Sequence, residues 1–220
     1  MIVTIDGPAG SGKSTAARLL AQRLGVAYLD TGAMYRAVAL AALRRGINLD
    51  DPEALGALAA RCDLHVEPSA DGCRVRLDGE DVTAAIRTAE VNEATARVAR
   101  AAPVRRQLVA AQQTIGRRLG SLVTEGRDQG TVVFPDADVK VFLDADVDCR
   151  ARRRFDEMTA DGQSVTFDDV RANLALRDRT DRRQWTPLLS DPDAIRLDTT
   201  GLTIEQVVEW LFGHVTGRPA

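Results

Sequence analysis

The stretch that decides the fold runs from Ile2 to Leu24, IVTIDGPAGSGKSTAARLLAQRL. Ile2 to Ile5 is a short apolar run of strand length, and Ala16, Leu19, Leu20 and Leu24 keep helical spacing up to Gly25. Between them Gly7-Pro8-Ala9-Gly10-Ser11-Gly12-Lys13-Ser14 fits the pattern G-x-x-x-x-G-K-[ST]. Glycines let backbone N–H groups curl around a phosphate, and the following helix adds the positive end of its dipole. Lys13 then reaches β- and γ-phosphates, and the Ser14 hydroxyl suits Mg²⁺. A chance glycine-rich turn is the alternative. Its position between a strand and a helix, where the mechanism needs it, argues for a nucleoside triphosphate site.

Working outward, Val26 to Leu29 reads as a second strand. Thr31 is expected to cap a helix from about Gly32 to Arg45, and Asp51 before Pro52 marks another helix start. From about Leu64 to Val82 apolar and polar residues alternate between Gly72 and Gly79, which predicts a small antiparallel element. Val104, Leu108, Ala111, Ile115 and Leu119 return to helical spacing. Leu122 to Thr124 and Val139 to Leu143 are apolar runs of the kind buried on both faces of a parallel sheet. Arg150 to Ala160 and Asp168 to Arg183 predict Arg-rich helices joined by a loop at Gly162. Ile195 to Leu197 is a last strand, and Thr203 with Gln206 forms a capping box. Strands alternating with helices predict an α/β fold, with a parallel sheet between helical layers.

The 220 residues fit one such domain, and 45% apolar with 28% charged residues fits a soluble globular chain. The longest run without a polar side chain is Ala37 to Leu43, far short of the ~18 residues that span a bilayer. No membrane association is expected, and MIVTIDG does not read as a signal peptide, so the expected compartment is the cytoplasm. Cys62, Cys73 and Cys149 lack any C-x-x-C pairing and read as buried thiols. A net charge of −3 argues against nucleic acid as a partner. Of 29 basic residues only Lys13 and Lys140 are lysine. Arg is a planar fork and Lys a compact point charge, so a lysine kept where arginine is the default points to a geometric need.

Two readings of the triphosphate site fail by absence. A GTPase needs N-K-x-D, but Lys140 follows Val139; the L-S-G-G-Q signature of transporter ATPases is also missing. A phosphotransferase remains. Leu29-Asp30-Thr31-Gly32-Ala33-Met34-Tyr35-Arg36 enters a helix, so Thr31 could bind a second phosphate and Arg36, one turn on, could fork onto it. An ordinary capped helix with a surface arginine is the alternative. Thr124-Glu125-Gly126-Arg127-Asp128-Gln129-Gly130-Thr131 leaves a buried strand expected beside the first one, at the strand ends where such sheets bind ligands. Arg127 and Asp128 there read as substrate contacts, or else as an ion pair with each other. Arg150 to Arg154 and the run Arg177-Asp178-Arg179-Thr180-Asp181-Arg182-Arg183 offer arginines for the charge of a transferred phosphoryl group. Successive residues face different ways on a helix, so most of them must do something else.

The segments TIDGPAGSGKST, LDTGAMYR, DGEDVTAAIRT, EGRDQGTVVFPDADVKVFLDA and RDRTDRR stand in the order and spacing of a known family. With them the chain resembles the nucleoside monophosphate kinases, and among those the bacterial cytidylate kinases, over nearly its whole length. The resemblance implies a single domain over 1–220, a three-layer α/β/α P-loop kinase core with an antiparallel nucleotide-binding insert at about 62–100 and a helical lid at about 152–168. It implies ATP with Mg²⁺ as donor, CMP or dCMP as acceptor, and a monomer. Gly7, Pro8, Ala9, Gly10, Ser11, Gly12, Lys13, Ser14 and Thr15 would bind ATP, with Ser14 on the metal. Thr31, Tyr35, Arg36 and Arg127 would surround the CMP phosphate. Arg105 and Asp128 would face the cytosine, Arg177 and Asp181 the sugar. Lys13, Arg127, Arg153 and Arg154 would be catalytic. The family usually has Ser at Ala96, an apolar residue at Gln129 and Arg at Gln184, for which Arg183 would substitute. Adenylate- or shikimate-type kinases, and a regulator that only binds ATP, are the competing readings.

Overall fold

The computed structural model describes residues 1–160 and 162–217. In chain order the elements are β1 (Ile2–Asp6), α1 (Lys13–Leu24), β2 (Ala27–Asp30), α2 (Thr31–Arg44), α3 (Pro52–Arg61), β3 (Leu64–Pro68), β4 (Cys73–Leu77), β5 (Glu80–Asp81), a 3₁₀ turn (Ala85–Arg87), α4 (Ala89–Val98) and α5 (Ala102–Leu119). There follow β6 (Leu122–Gly126), a π-helical turn (Gln129–Val133), β7 (Val139–Asp144), α6 (Val147–Ala160), α7 (Phe167–Leu189), β8 (Ala194–Asp198) and α8 (Ile204–Thr216). The chain divides into two compact units, Met1–Leu24 with the described residues from Val123 onward, and Gly25–Leu122.

In the first unit the parallel sheet has β6, β1, β7 and β8 side by side, with helices on both of its sides. β1 registers on β7 from Val3 opposite Val139 to Asp6 opposite Phe142, and β7 on β8 from Lys140 opposite Ala194 to Asp144 opposite Asp198. Val3, Ile5, Leu122, Val141 and Leu143 are wholly or almost wholly buried, which is why these strands read as unbroken apolar runs. α1 packs on α8 and α6 on α7. Ala9 of the glycine-rich loop is buried with Ala151, Val170 and Leu174, so the two Arg-rich helices grip the loop through their apolar sides. The Trp185 ring lies 6.3 Å from that of Phe142 and ties the far end of α7 to β7.

In the second unit α2 is buried along most of its length, as expected of a helix built from Ala, Val and Leu. α3 and α5 touch at Gly56, where a Cβ would lie 2.4 Å from the Cβ of Pro103. The expected antiparallel element is the sheet β3-β4-β5, with Val75 and Leu77 buried and Arg74 and Arg76 exposed between them.

The Asp51 cap of α3 and the Thr203–Gln206 capping box stand as read from sequence. Two readings need correction. α2 starts at Thr31, and its cap is Asp30, whose Oδ1 accepts from Ala33 N at 2.9 Å. A carboxylate reaching one turn ahead satisfies the helix end and leaves a second oxygen for a cation, which a threonine hydroxyl cannot do. Of the three cysteines, none of them in a disulfide, Cys73 is buried, but Cys62 and Cys149 sit half-buried beside solvent. The lid expected over 152–168 spans residue 161, which lies outside the described residues. Among the described residues no helix is long and apolar enough to cross a membrane.

Candidate active site

β1 delivers its last residue, Asp6, fully buried into the start of the glycine-rich loop. A Cβ on Gly7 would lie 2.1 Å from the carbonyl oxygen of Leu143, so the loop passes β7 at a distance only glycine allows. Gly12 has φ +85°, which turns the chain into α1. Ser11 Oγ is buried with no hydrogen-bond partner among the described residues, and Lys13 Nζ donates to Pro8 O at 2.9 Å. The lysine is thus folded back over its own loop. Burial pushes the Lys13 ammonium well below the usual lysine range; Arg127 adds to that, and Glu125 works against it. A buried hydroxyl without a partner and a buried lysine held by a neutral carbonyl are the features of a cradle for anionic oxygens. Ser14, at the head of α1, donates to Glu125 Oε1 at 3.0 Å. Those two hard oxygen donors fit Mg²⁺, with phosphate and water completing its shell. Thr15 is exposed beside them.

The turn after β6 is held from below by Asp6. Its two carboxylate oxygens accept from Gln129 N and Gly130 N, both at 2.9 Å. Burial pushes Asp6 up to about 7, with the two N–H bonds opposing the shift. Gln129, the departure from an apolar residue, is itself buried, and its Oε1 accepts from Thr124 Oγ1 at 3.1 Å. A polar side chain is tolerated there because the strand it leaves supplies the donor. Asp128 heads this turn, buried, and its carbonyl accepts from Val132 N at 2.9 Å.

Arg127 and Asp128 do not pair with each other. Arg127 Nε donates instead to Asp181 Oδ2 at 3.0 Å, with both side chains largely covered. Arg177 stands one turn before Asp181 on α7, and both Arg127 and Arg177 act electrostatically on Lys13. The first unit therefore gathers Lys13, Arg127, Asp128, Arg177 and Asp181, whereas Arg183 is exposed farther along α7.

The arginines of α6 separate by role. Arg150 is buried; it forks onto Asp178 at 3.1 and 2.6 Å and also donates to Ala9 O and Ala145 O. It is a bolt between the loop, α6 and α7. Arg152 lies over the Phe167 ring at 4.6 Å. Arg153 donates to Thr199 O at 2.6 Å and Thr199 Oγ1 at 3.2 Å, and its Nη1 lies 3.9 Å from where a Gly12 Cβ would be. Arg154, partly exposed, pairs with Glu157 at 3.0 Å.

In the second unit Thr31 is buried in the first turn of α2, with Tyr35 and Arg36 half-buried one turn on. Asp30 Oδ2 takes Arg36 Nη2 at 2.8 Å and Arg87 Nη2 at 3.5 Å. Cys73 fixes the same spot, its Sγ bonded to Asp30 N at 3.3 Å and to Tyr28 O at 3.2 Å. Arg105 is half-buried in the first turn of α5. Asp6, Glu125, Asp30 and Thr199 escaped sequence reading as site residues. Asp6 and Asp30 stood inside the quoted motifs, and a carboxylate at each strand end was the available signal.

The chain matches the family model described as cytidylate kinase over residues 3–216. It is 46% identical over 221 residues to a cytidylate kinase of Citrifermentans bemidjiense, covering all of this chain and 94% of that one. It is 48% identical to a cytidylate kinase of Geobacter sulfurreducens, over 99% and 94% of the two chains. A cytidylate kinase of Bacillus pumilus is 45% identical over 93% and 91%. Among solved structures, an uncharacterized protein from Eubacterium ventriosum superposes with TM-score 0.54 at 11% identity, over 99% of each chain. Shikimate kinase from Bacteroides thetaiotaomicron gives 0.50 at 14%, over 99% and 98%, a likeness of fold alone.

Proposed function

The chain belongs to the cytidylate kinase family, and from that premise we propose how its residues divide the work of moving the γ-phosphoryl group of ATP to CMP or dCMP. The loop from Gly7 to Thr15 binds the triphosphate. Lys13 exchanges its bond to Pro8 O for phosphate oxygens, and Ser11 Oγ gains the partner it lacks within the protein. Ser14, with Glu125 beside it, would hold the Mg²⁺ that accompanies ATP, and the ion would supply positive charge against the phosphates. Thr31, Tyr35, Arg36 and Arg127 hold the acceptor phosphate. Arg105 and Asp128 read the cytosine, and Arg177, Asp181 and Arg183 serve the sugar side.

An oxygen of the CMP phosphate forms the new bond to the γ-phosphorus as the bond to the ADP oxygen breaks. Charge spreads over the three equatorial oxygens, and Lys13, Arg127, Arg153 and Arg154 stabilise it. Products are ADP and CDP or dCDP. The observation that carries this division is the buried Lys13, set among Arg127 and Arg177 yet bonded to a neutral carbonyl. Buried positive charge of that kind calls for a polyanion. The family reading extends to a cytoplasmic monomer.

A coupled ADP-release assay over CMP, dCMP, UMP, AMP and shikimate tests this function. Turnover is expected with CMP and dCMP and slow ATP hydrolysis without an acceptor, because an unfilled acceptor site must not let water take the phosphoryl group. ATP binding with no acceptor-dependent ADP release would favour a regulator, and preference for AMP or shikimate another kinase type.

A further inference from the structure

Gln129 stands where the family usually has an apolar residue, and it has no part in the division of work above. It opens the π-helical turn Gln129–Val133, directly after Asp128, and is almost fully buried. Single π-helical turns are frequent at functional sites. Three of its polar groups are engaged at once. Gln129 N donates to Asp6 Oδ1 at 2.9 Å, its carbonyl accepts from Phe134 N at 2.7 Å, and its Oε1 accepts from Thr124 Oγ1 at 3.1 Å. The first two bonds are made by backbone and would survive any side chain at this position. The third exists only because the side chain is an amide.

Thr124 is fully buried in β6, so the sheet sets the place of its hydroxyl. The Thr124–Gln129 bond therefore closes the two ends of the stretch Glu125-Gly126-Arg127-Asp128 onto a rigid strand. Inside this closure a Cβ on Gly126 would lie 2.9 Å from both Cγ and Nε2 of Gln129. The stretch thus packs directly on the amide and has no room to slide across it. Arg127 has an anchor of its own in Asp181. Asp128 is joined to Gln129 by one peptide bond, so it is the residue whose place the closure decides most. A methionine would fill the same space, but its thioether is only a weak acceptor for the Thr124 hydroxyl.

We propose that Gln129 is a positioning residue for the acceptor base: through its side-chain bond to Thr124 it holds Asp128 in register, and so sets how sharply cytosine is told from uracil. The proposal rests on the base-reading role given to Asp128 and adds to it the device that keeps that carboxylate in place. Asp6 fixes the backbone of the turn from below, and the Thr124–Gln129 bond fixes the stretch that leads into it. Discrimination between two bases of the same shape depends on where one buried acceptor stands, so a slack turn costs selectivity before it costs turnover.

The test measures the kcat/KM ratio for CMP over UMP in the wild type, Gln129→Met, Thr124→Val, the double variant and Thr124→Ser. The ratio does not depend on the concentration of active enzyme, so a partly unfolded variant cannot imitate a loss of selectivity. Gln129→Met and Thr124→Val should each lower it by about fivefold, the scale of one net hydrogen bond. Because both remove the same bond, the double variant should also lose about fivefold, where independent effects would multiply to about 25-fold. Thr124→Ser keeps the hydroxyl and should stay within about twofold of the wild type. A fall of at least about threefold in both single variants, without multiplication in the double one and with Thr124→Ser spared, supports the proposal. A smaller fall in either single variant, losses that multiply, or a Thr124→Ser loss equal to that of Thr124→Val overturns it and leaves Gln129 a scaffold residue. Asp128→Ala separates this from the reading beneath it. If Asp128→Ala leaves the ratio unchanged, base reading by Asp128 falls and the proposal with it; if it collapses the ratio while Gln129→Met does not lower it, the proposal alone falls.

Discussion

The glycine-rich loop and the start of α2, the two places where we propose that phosphate binds, hold their cations in opposite ways. At the loop, Lys13 is buried and rests on a neutral carbonyl, Pro8 O at 2.9 Å. At α2, Arg36 rests on a carboxylate, Asp30 at 2.8 Å. A buried ammonium without a direct counterion becomes sensitive to pH; a guanidinium paired with a carboxylate stays charged throughout. The contrast predicts a proton-sensitive donor site, and an acceptor site whose arginine is already paired with an internal anion.

The largest effect is expected where no second cation can stand in. Lys13→Ala should lower kcat by roughly 10³ or more, with the thermal unfolding midpoint preserved or raised, since the variant removes a buried charge. Lys13→Arg should fail as well, because a planar fork cannot take the place of a point charge folded over a tight loop. Near-normal turnover in either variant would end the contrast between the two sites.

Next in size is base choice. Asp128 is buried at the head of the turn that Asp6 holds, so its place is set by the chain rather than by solvent. Cytosine offers an amino donor where uracil has an oxygen, and a site with buried polar groups left unpaired rejects the wrong ligand by about 10⁴. Asp128→Ala should collapse the kcat/KM ratio for CMP over UMP. An unchanged ratio would remove the base-reading role from this residue. On the acceptor side, Arg36→Ala should raise the KM for CMP by about 10- to 100-fold, the scale of a charged hydrogen bond, and leave the KM for ATP nearly as it was. Equal increases for both nucleotides would mean that the two sites are not separable in this way.

How much of this was legible in the sequence follows the same division. The loop is a local device: glycine spacing, a strand before it and a helix after it fall within Ile2 to Leu24, so its purpose could be read directly. The sheet followed from short apolar runs, and β6 was rightly expected beside β1. Asp6 was not legible as a clamp, because its partners Gln129 and Gly130 lie more than 120 residues away and meet it only when those two strands pair. The arginines were legible as a group but not one by one. Arg150 and Arg153 stand in one Arg-rich helix, yet one is bolted to Asp178 and the other reaches Thr199 beside the loop, a choice made by the packing of α6 on α7. The α2 cap was read one residue late, at Thr31 instead of Asp30, for a simpler reason: both residue types cap helices, and the bond that decides between them, Ala33 N to Asp30 Oδ1, shows only in the fold.

Proton linkage sharpens the comparison at a smaller scale. Burial depresses Lys13 from its usual value near 10.5, while the phosphates of ATP favour its charged form. Above the depressed pKa, binding must therefore draw in a proton, and ATP affinity should fall by up to about tenfold per pH unit as pH rises through that range. Calorimetry at pH 8 in two buffers of different ionisation heat should show proton uptake, smaller at pH 6 and much reduced in Lys13→Ala. Uptake that persists unchanged in Lys13→Ala would assign it to Asp6, whose carboxyl, pushed up to about 7, is driven higher by an approaching phosphate. CMP binding at the Arg36 pair should follow only the ionisation of the phosphate itself.

The smallest effect concerns Ala96, exposed on α4, where the family usually has Ser. The neighbouring hydroxyl does not compensate: Thr95 Oγ1 donates to Val91 O at 2.6 Å and is consumed by its own helix. In the proposed division of work base reading falls to Arg105 and Asp128, one hydrogen bond fewer than the family pattern. A net hydrogen bond is worth about 1 kcal/mol, so Ala96→Ser should raise the CMP over UMP ratio of kcat/KM about five- to tenfold. Its cost to the helix is about 0.5 kcal/mol, too little to unfold the unit. Thr95→Ala is the control, and should leave the ratio where it was. If Ala96→Ser also leaves it unchanged, the new hydroxyl has folded back onto Asn92 O as that of Thr95 does onto Val91 O, and discrimination between cytosine and uracil rests on the buried turn at Asp128 rather than on α4.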